Sequence, residues 1–600
     1  MKHKIFAIKY LFLLAASTPA FAQSTYYVSA DGNDANAGTS SSAPIKSIDK
    51  ANQLVLKPGD VLSFKKGDVF SGQLNIKQSG TSAAPINISS YGSGSKPVID
   101  GSAVVSGWKR SSGNIWVASL SNYNGSAINL FANNQPLPLG RYPNSGYLTI
   151  RSHSGKTQLT SKQSLNGDWT GADVVIRKNL WQIDTDKIIS QQGNTLTFKG
   201  TPTAMNDNWG FFIQDHPKTL DQDGEWYYQA STKQIMLYSS SDPNGRNIEA
   251  SIYTAGINIV GQSNIVIKDI AIAEQRQFGI NGKNLRGLTV KNVTISDVGQ
   301  DGISILGRGN NVVIDGCTIS DINNNAVVVY DHSGFRFLNN TVKNIGLVVG
   351  RGTNSSGSFV GLRYNAKAGS AIIQNNTIEN VGYIGIDFRS ANVTIQNNLI
   401  KNINLTKSDG GGIYTYSGKN PNNYTNQKIV SNIILNSVGS YDGSYNANQN
   451  AHGIYLDDRS HDIDIQNNTI ANCTGSGIFL NGASRINIQN NTCYGNGTQL
   501  LVSTTPGADP VNNTILSNIL VGKKKQVMSL NRSRLLRTAV ALANSNKQMQ
   551  DISDDTARFE YNASASPKTI NLNGTYKDAN NKTYTGKVTL QPYSSIVLTK

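Results

Sequence analysis

The sequence predicts an all-β chain whose main body is a parallel β-solenoid, and a repeat is the first observation behind that prediction. From residue 264 onward a short stretch of alternating apolar residues recurs, and successive copies begin 23, 24, 23, 36, 22, 35, 35, 23 and 27 residues apart. Many copies carry a central asparagine pair, as in Ile373–Ile378, Ile395–Ile400 and Ile465–Ile470. A period near 23 residues with turn-forming asparagines is typical of one solenoid coil. We expect the asparagines to stack as hydrogen-bonded ladders.

The second observation is that three spacings exceed the common period. The extra residues fall at 347–360, 404–424 and 439–451. Insertions in a solenoid become loops on one face, which is often the binding face. These loops flank two strand-like stretches, 409–416 and 452–458, which we take as the centre of a candidate site.

A further row of strands can be aligned on its inward aliphatic residues, which are Ile280, Ile303, Val327, Leu362, Ile386, Ile413, Ile454 and Ile478. Side chains alternate across a strand and neighbouring strands lie about 4.8 Å apart, so the outward residues should form one continuous patch. The predicted patch contains Arg363, Asp387, Arg389, Tyr414, Tyr416, Tyr455 and Asp457, with Asp409 and His452 at its rim.

Residues 1–22 have the form of a secretory signal. Three lysines precede an apolar run from Tyr10 to Ala16, and Ala20-Phe21-Ala22 offers a small-residue cleavage site. Cleavage after Ala22 predicts a secreted or periplasmic protein. No later run is long and apolar enough to span a membrane.

Residues 23–104 are predicted to form an N-terminal cap and the first coils. A short amphipathic helix over Ile45–Leu54 can cover the strand edges at the open end of a solenoid. The strands predicted after it are Val61–Phe64, Leu74–Ile76, Ile86–Ser90 and Val98–Ile99.

Residues 105–250 lack the repeat and are predicted to be an inserted antiparallel β domain. Its predicted strands are Ile128–Asn133, Asp173–Arg177, Thr195–Lys199 and Gln234–Tyr238. We assign its aromatic residues to a core, with substrate contact as the less favoured alternative. They are Trp181, Trp209, Trp226, Tyr227 and Tyr228.

The solenoid is expected to occupy residues 251–522, with the candidate site on one face. Residues 523–555 are basic, and Met528–Met549 has helical composition, so we predict a helical segment that caps the C-terminal end; binding to an acidic surface is the alternative.

Residues 556–600 are predicted to form a small β module. Its predicted strands are Phe559–Asn562, Thr569–Leu572, Lys587–Leu590 and Ser595–Leu598.

Charge and cysteine content narrow the functional classes. The net charge is +16, but three lysines lie in residues 1–22 and seven basic residues lie in 523–547 without an acidic one. The excess of positive charge in the rest of the chain is small and argues only weakly for an acidic substrate. No nucleic-acid recognition motif is present. The three cysteines, Cys317, Cys473 and Cys493, are too few for a disulfide framework and are expected to be buried thiols.

Several motifs together resemble secreted right-handed parallel β-helix proteins of the pectin-lyase-like class. The opening Tyr26–Asp34 looks like their usual start, and Gly140–Asn144 with Gly224–Tyr228 looks like the insertion of β-helix glycosidases. The pair Ser408–Tyr414 and Gly453–Asp458 is similar to glycoside hydrolase family 141 and its uncharacterised relatives. The resemblance covers residues 25–520. It implies a right-handed helix and a glycosidase in which Asp409 and Asp457 are the catalytic aspartates.

Glycosidic hydrolysis normally needs two carboxyl groups, one to protonate the leaving oxygen and one to act as nucleophile or base. Asp409 and Asp457 lie on neighbouring coils and form our candidate pair. Asp458 replaces Asp457 if the register slips by one residue, and Asp387 is a further candidate. The competing interpretations are that Asp409 is only a turn residue before three glycines and that Asp457 is a solvated strand-end acid.

The remaining patch residues are predicted to bind substrate. Arg363 and Arg389 can hold a carboxylate in place or bind an acidic sugar. Tyr414, Tyr416 and Tyr455 offer flat faces and hydroxyls to sugar rings. His452 is either a proton relay or a rim residue.

The sequence leaves two other functions open. A polysaccharide lyase would remove the proton alpha to a uronate carboxyl group, and Arg363, Arg389, Tyr414 or His452 could serve it. A non-catalytic polysaccharide-binding β-helix is the third hypothesis. Asp409 and Asp442 are oxygen ligands that suit calcium, but their spacing matches no calcium motif, so no cofactor or metal is predicted. The expected partner is a polysaccharide, and the expected state is a monomer.

Overall fold

The computed structural model describes residues 23–600 except 121–128, 202, 419–423, 446–449, 523–527, 531–540, 543–546 and 551–556. The predicted signal at 1–22 lies outside this range. Within it, nearly all regular structure is β-strand, and none of the helices could cross a membrane.

Three long parallel sheets form the main body, and each coil contributes one strand to each sheet in turn. Sheet 1 contains Leu74–Ile76, Ala255–Val260, Phe278–Lys283, Asp301–Leu306, Val327–Tyr330, Leu362–Asn365, Ile386–Arg389, Gly410–Tyr416, Ala451–Asp457, Ser476–Asn481, Thr498–Ser503 and Met528–Leu530. Sheet 2 contains Thr25–Val28, Val61–Lys65, Ile86–Tyr91, Ser263–Lys268, Arg286–Lys291, Gly309–Asp315, His332–Ser333, Phe335–Leu338, Ala371–Gln374, Val393–Gln396, Gln427–Val430, Ile463–Gln466, Asn487–Gln489, Thr514–Leu516 and Ala541–Leu542. Sheet 3 contains Val69–Ser71, Val98–Asp100, Ala271–Ala273, Thr294–Val298, Thr318–Ile322, Thr341–Ile345, Thr377–Val381, Leu399–Ile403, Ile433–Ser437, Thr469–Ala471, Thr492–Tyr494, Ile519–Gly522 and Lys547–Gln550. The predicted parallel β-solenoid is therefore confirmed.

The interior of the solenoid is a continuous stack of aliphatic side chains, since each coil places like residues above like. One turn is polar instead, and there the predicted asparagine ladder forms. The side-chain amides of neighbouring coils are joined at 2.8–3.0 Å through Asn340, Asn376, Asn398, Asn432, Asn468, Asn491 and Asn518. Each amide also donates to a backbone carbonyl, so these buried polar groups are paired.

The N-terminal helix is shorter than predicted. It spans only Ile48–Ala51, with the Ser47 hydroxyl accepting from the Lys50 amide as N-cap. Ile45 pairs with Val28 as a β-bridge, which moves the start of the helix later. Ile48 and Ala51 still face the core, so this helix packs on the first coils.

The inserted domain is antiparallel, as the sequence predicts, and its main part is a closed six-stranded barrel. The barrel runs through Leu148–Ser154, Gln158–Ser161, Thr195–Phe198, Ile183–Gln192, Asp173–Arg177 and Gly210–Gln214, and Arg141–Tyr142 extends the last of these. Two four-stranded sheets complete the domain. Their strands are Gln135–Pro136, Leu130–Ala132, Ile248–Ser251 and Ser102–Val104, and Trp226–Gln229, Gln234–Tyr238, Ile115–Ser119 and Lys109–Ser112. Two short 3-10 helices, Pro217–Thr219 and Pro243–Gly245, lie between strands.

The helix predicted within residues 523–555 is wrong for the part of that segment that the structure describes. Met528–Leu530, Ala541–Leu542 and Lys547–Gln550 pair in parallel with the last strands of sheets 1, 2 and 3. The exposed edges of a coil are a template for one more strand each, and this tertiary pairing outweighs helical composition.

The C-terminal module is an antiparallel sheet with the strand order Ala557–Asn562, Ser594–Thr599, Lys568–Asp578 and Thr583–Leu590. It packs on sheet 3, where Phe559 stacks on Tyr494 with ring centroids 4.8 Å apart. The inserted barrel, and not this module, packs against sheet 1, which carries the candidate site.

Candidate active site

The register of sheet 1 is the one that the sequence predicts. Backbone pairing aligns the eight inward aliphatic residues from Ile280 to Ile478 in one continuous row. The outward neighbours are aligned with them: Arg363 opposite Asp387, Asp387 opposite Tyr414, and Tyr414 opposite Tyr455. Tyr416 lies opposite Asp457 in the second outward row.

A cleft of about 500 Å³ opens over these rows. Its floor is sheet 1, and its walls include Ser356 of the loop at 347–360 and Trp181 of the inserted barrel. The residues that line it are Trp181, Ser356, Arg363, Tyr383, Ile384, Arg389, Asp409, Tyr414, Tyr416, Tyr455, Asp457, Asp458, Asn481 and Thr505.

The barrel is fixed to the cleft by one buried arginine. Arg177, at the end of a barrel strand, donates to the backbone carbonyls of Thr406 (3.0 Å), Asp442 (3.1 Å) and Ser440 (2.7 Å). It thereby ties two of the long loops to the barrel. Leu180 adds a further tie, because its carbonyl accepts from both Arg177 and the Ser408 amide.

Packing reinforces these hydrogen bonds. Val175 and Phe212 of the barrel share one apolar cluster with Tyr383, Tyr414 and Tyr455 of the cleft. The tyrosine rings are therefore held from behind by the barrel while their hydroxyls face the cleft.

Trp181 departs from the sequence prediction. Trp226 and Tyr228 are buried in the inserted domain, as expected for core residues. Trp181 is 40% exposed and lines the cleft instead. Its turn is shaped by the Asn179 side chain, which accepts from the amides of Trp181 and Gln182.

Asp457 is surrounded by hydrogen-bond donors. One carboxylate oxygen accepts from the Tyr414 hydroxyl at 2.9 Å. The other accepts from the Asn481 side-chain amide at 2.8 Å and from the Asp458 backbone amide at 2.9 Å. Three donors therefore fix the orientation of this carboxyl group.

Asp409 sits in a different environment. Its backbone is left-handed, with φ of 58°, where the chain turns into the following glycines. Burial is the main cause that raises the pKa of its carboxyl group to about 7, the nearby charge of Asp457 adds to the increase, and a hydrogen bond with Tyr455 opposes it. The Tyr455 hydroxyl also interacts with Asp457, so this tyrosine connects the two carboxyl groups.

Asp387 is buried beneath the patch as part of an ion-pair cluster. Arg363 contacts one oxygen of its carboxylate through Nε at 2.8 Å and Nη2 at 2.6 Å. Arg389 Nε lies 3.5 Å from the other oxygen. Asp387 is 1% exposed and does not line the cleft, so the structure places it behind the two arginines.

Two further predicted residues have structural partners. Asp458 lines the cleft but forms an ion pair with Arg459. His452 is not at the rim: it is 3% exposed, it packs against Tyr455 and Phe479, and its Nδ1 accepts from the Ser476 amide at 2.9 Å. Burial lowers its pKa to about 3, which keeps the ring neutral. The rim placement was wrong because the strand begins at Ala451, one residue before His452.

Sequence reasoning missed Tyr383 and Lys407. Tyr383 lines the cleft and its hydroxyl donates to the Asp409 carbonyl at 2.9 Å. Lys407 is fully buried, donates to Ser355 and Ser358, and lies over the rings of Phe359 and Tyr383, while burial holds its pKa well below the usual value. Neither residue belongs to the outward-facing rows of sheet 1. The other site residues were predicted from those rows.

The described residues contain no group of three or more histidine, cysteine, aspartate or glutamate side chains arranged to hold a metal ion. Cys317, Cys473 and Cys493 are buried free thiols, as expected.

Comparison with known proteins agrees with this architecture. Residues 228–365 and 365–520 match the family described as "Right handed beta helix region". The fold of the chain is therefore a right-handed parallel β-helix.

Two solved structures resemble this β-helix protein over most of its length. One, named "Glycoside hydrolase", has a TM-score of 0.57 at 15% identity and covers 82% of this chain and 96% of its own. The other, XylC in complex with xylose, has a TM-score of 0.50 at 13% identity and covers 95% of this chain and 98% of its own. At these identities the likeness concerns the fold.

Among curated proteins, lacto-N-biosidase from Bifidobacterium longum subsp. longum is 45% identical over 113 residues. The match covers 15% of this β-helix protein and only 7% of that relative.

Proposed function

We propose that the protein is a carbohydrate-active enzyme that hydrolyses glycosidic bonds, with Asp409 as general acid and Asp457 as nucleophile or base. The observation that carries the proposal is a pair of carboxyl groups in one cleft with opposite environments. Burial and a neighbouring negative charge favour the protonated form of Asp409, whereas Asp457 accepts hydrogen bonds from three donors. Two carboxyl groups whose environments differ in this way are the usual acid and base of a glycosidase.

In the proposed reaction, the glycosidic oxygen takes the proton of Asp409 as the bond to the anomeric carbon breaks. Asp457 either attacks that carbon or removes a proton from the attacking water. If Asp457 has attacked, the ionised Asp409 takes a proton from a water molecule, whose oxygen then displaces Asp457 from the anomeric carbon. If Asp457 has instead taken a proton from the attacking water, it passes that proton to solvent, and Asp409 is reprotonated from solvent. Tyr414 and Asn481 hold Asp457 in place by their hydrogen bonds.

Aromatic side chains support a sugar as the substrate. Trp181 and Tyr416 are partly exposed in the cleft, on its barrel wall and its floor. Flat apolar faces beside hydroxyls and carboxyl groups suit the faces and edges of a pyranose. The names of the similar proteins, a glycoside hydrolase and a lacto-N-biosidase, are consistent with this substrate class.

The test uses purified residues 23–600 on a panel of neutral and acidic polysaccharides. New reducing ends without the ultraviolet absorbance of unsaturated uronates are expected. Asp409→Asn and Asp457→Asn should each lose at least a hundredfold in kcat/KM, because acid–base groups of this kind contribute about 10²–10⁴. Asp464→Asn, on sheet 2 of the same coil as Asp457, is the matched control and should keep full activity.

A glycoside with a good leaving group separates the two roles. Such a substrate needs little protonation, so Asp409→Asn should recover much of its activity on it, whereas Asp457→Asn should not. If reducing ends and unsaturated products rise together, the reaction is β-elimination and not hydrolysis. If the protein binds polymers but cleaves none of them, it is a non-catalytic binding module. Either of these two results would reject the proposed hydrolase.

The proposal includes export of the enzyme, which is supported by the lysine-rich, apolar N-terminus. N-terminal sequencing of the protein recovered from the periplasm or medium should begin at Gln23. Full-length protein retained in the cytoplasm would contradict it.

A further inference from the structure

Arg389 has the weakest protein contacts of the charged residues in the Asp387 cluster. Among the residues that the structure describes, its ion-pair contact is the 3.5 Å approach of Nε to Asp387, and this buried Nε has no hydrogen-bond partner there. Its side chain is 31% exposed and lines the cleft.

Arg363 is committed to Asp387 by contrast. It makes two short contacts to one carboxylate oxygen, and its side chain is 15% exposed. Gly357 of a long loop packs on it so closely that an added Cβ would lie 1.4 Å from Nη1. Since Arg363 matches the charge of Asp387, the positive charge of Arg389 is left over at the cleft surface.

The Arg389 guanidinium lies over an aromatic ring. Its Cζ is 5.3 Å from the centroid of Tyr416, the outward residue on the next coil, within the range of a cation–π contact. A planar guanidinium offers a fork of N–H donors that fits two oxygens of one carboxylate or sulfate group.

The position of this fork also separates it from the reacting groups. The strand of Arg389 lies two coils before that of Asp457, which corresponds to about 10 Å at the strand spacing of a sheet. An anion bound there would not meet the negative charge of Asp457 directly.

We infer that Arg389 and Tyr416 form a subsite for an anionic substituent, a carboxylate or sulfate ester, on a sugar next to the bond that is cleaved. The substrate class would then be an acidic polysaccharide. This inference rests on the proposed function, because it places the anionic sugar next to a bond that the enzyme cleaves. The anion subsite itself can be tested by binding alone.

The experiment measures binding to immobilised polymers in the Asp457→Asn background, which prevents turnover. The probes are polygalacturonate, alginate and chondroitin sulfate. The neutralised partner of each of the first two is its carboxyl-reduced form. Chondroitin sulfate is compared with its carboxyl-reduced form, its desulfated form and the neutralised polymer that has undergone both treatments. We expect at least one acidic polymer to bind tenfold or more tightly than its neutralised partner, as a charge-assisted bidentate contact allows. Carboxyl reduction and desulfation tell which anion is recognised.

Two variants test the assignment to Arg389. Arg389→Gln should bind the acidic and neutralised polymers equally, and Arg389→Lys should keep part of the preference because it retains charge without the fork. Lys283→Gln removes one exposed positive charge from the same sheet, four coils earlier, and should leave the preference intact. Thermal unfolding confirms that each variant is folded.

Three binding results would overturn the inference: no difference between acidic and neutralised polymers, the same difference in Arg389→Gln, or its loss in Lys283→Gln. Failure of the hydrolase proposal looks different, since it would leave the Arg389-dependent preference while wild type produces no reducing ends. Turnover confined to neutral polymers would retain the hydrolase and reject the anion subsite.

Discussion

Raising the pH from 6 to 8 should remove the proton that Asp409 is proposed to donate. With a pKa of about 7 in the free enzyme, the protonated fraction of Asp409 is about nine tenths at pH 6 and about one tenth at pH 8. Because kcat/KM follows the ionisation of the free enzyme, it should fall about tenfold over this range. The sign follows from the two causes of the shift, burial and the charge of Asp457, which both disfavour the ionised acid.

The assay is kcat/KM against pH at constant ionic strength, first on the polysaccharide that wild type cleaves fastest. The same profile is then measured for Asp409→Asn on a glycoside with a good leaving group, where the basic limb should vanish. Asp464→Asn is the control and should reproduce the wild-type profile. A basic limb that persists in Asp409→Asn, or a wild-type rate that is flat to pH 8, would refute the assignment of Asp409 as the acid.

Three other predictions concern the cleft and the core. Tyr455→Phe removes a hydrogen bond that favours ionised Asp409, so the basic limb should move to higher pH; a shift to lower pH would contradict this contact. Trp181→Ala should raise KM about tenfold with kcat nearly unchanged, while Trp181→Phe keeps most of the affinity, because only an aromatic face is needed; an unchanged KM would remove Trp181 from the substrate site. Asn432→Ala should lower the free energy of unfolding by about 3 kcal/mol or more, measured by denaturant titration, since it leaves several buried ladder groups unpaired. The matched Asn487→Ala loses one partly exposed hydrogen bond and should cost less than 1.5 kcal/mol or so, about the net value of one such bond.

The floor of the cleft could be predicted from the sequence because a solenoid reduces three-dimensional position to one-dimensional register. Once Ile413 and Ile454 are aligned as inward residues, the alternation of side chains fixes Tyr414, Tyr455 and Asp457 as outward neighbours. The same reasoning brings Arg363 beside Asp387.

The walls of the cleft could not be predicted in this way. Trp181 belongs to a non-repeating domain, so nothing in its local sequence separates a buried tryptophan from one that reaches the cleft. Lys407 lies in a loop whose path depends on docking of the barrel. The charged state of Asp409 depends on how much water that docking excludes, which is a property of the assembled site.

At the C-terminal end, local composition led to a wrong prediction of secondary structure. Met528–Met549 is rich in residues that form helices, yet its described parts add strands to the three sheets. In a solenoid the free edge of the last coil supplies hydrogen-bond partners that no isolated segment has, and pairing with them overrides weak intrinsic preference.

The anchoring of the barrel has a consequence for how a polymer would travel through the enzyme. Arg177 joins the barrel to the loops beneath through three backbone carbonyls, and aromatic packing continues the contact. These contacts would have to break for the wall to swing open between turnovers, in contrast to enzymes whose lids gate product release. If the wall stays in place, a polymer leaves along the groove, and the rate of release would depend on the length of the fragment still lying in it.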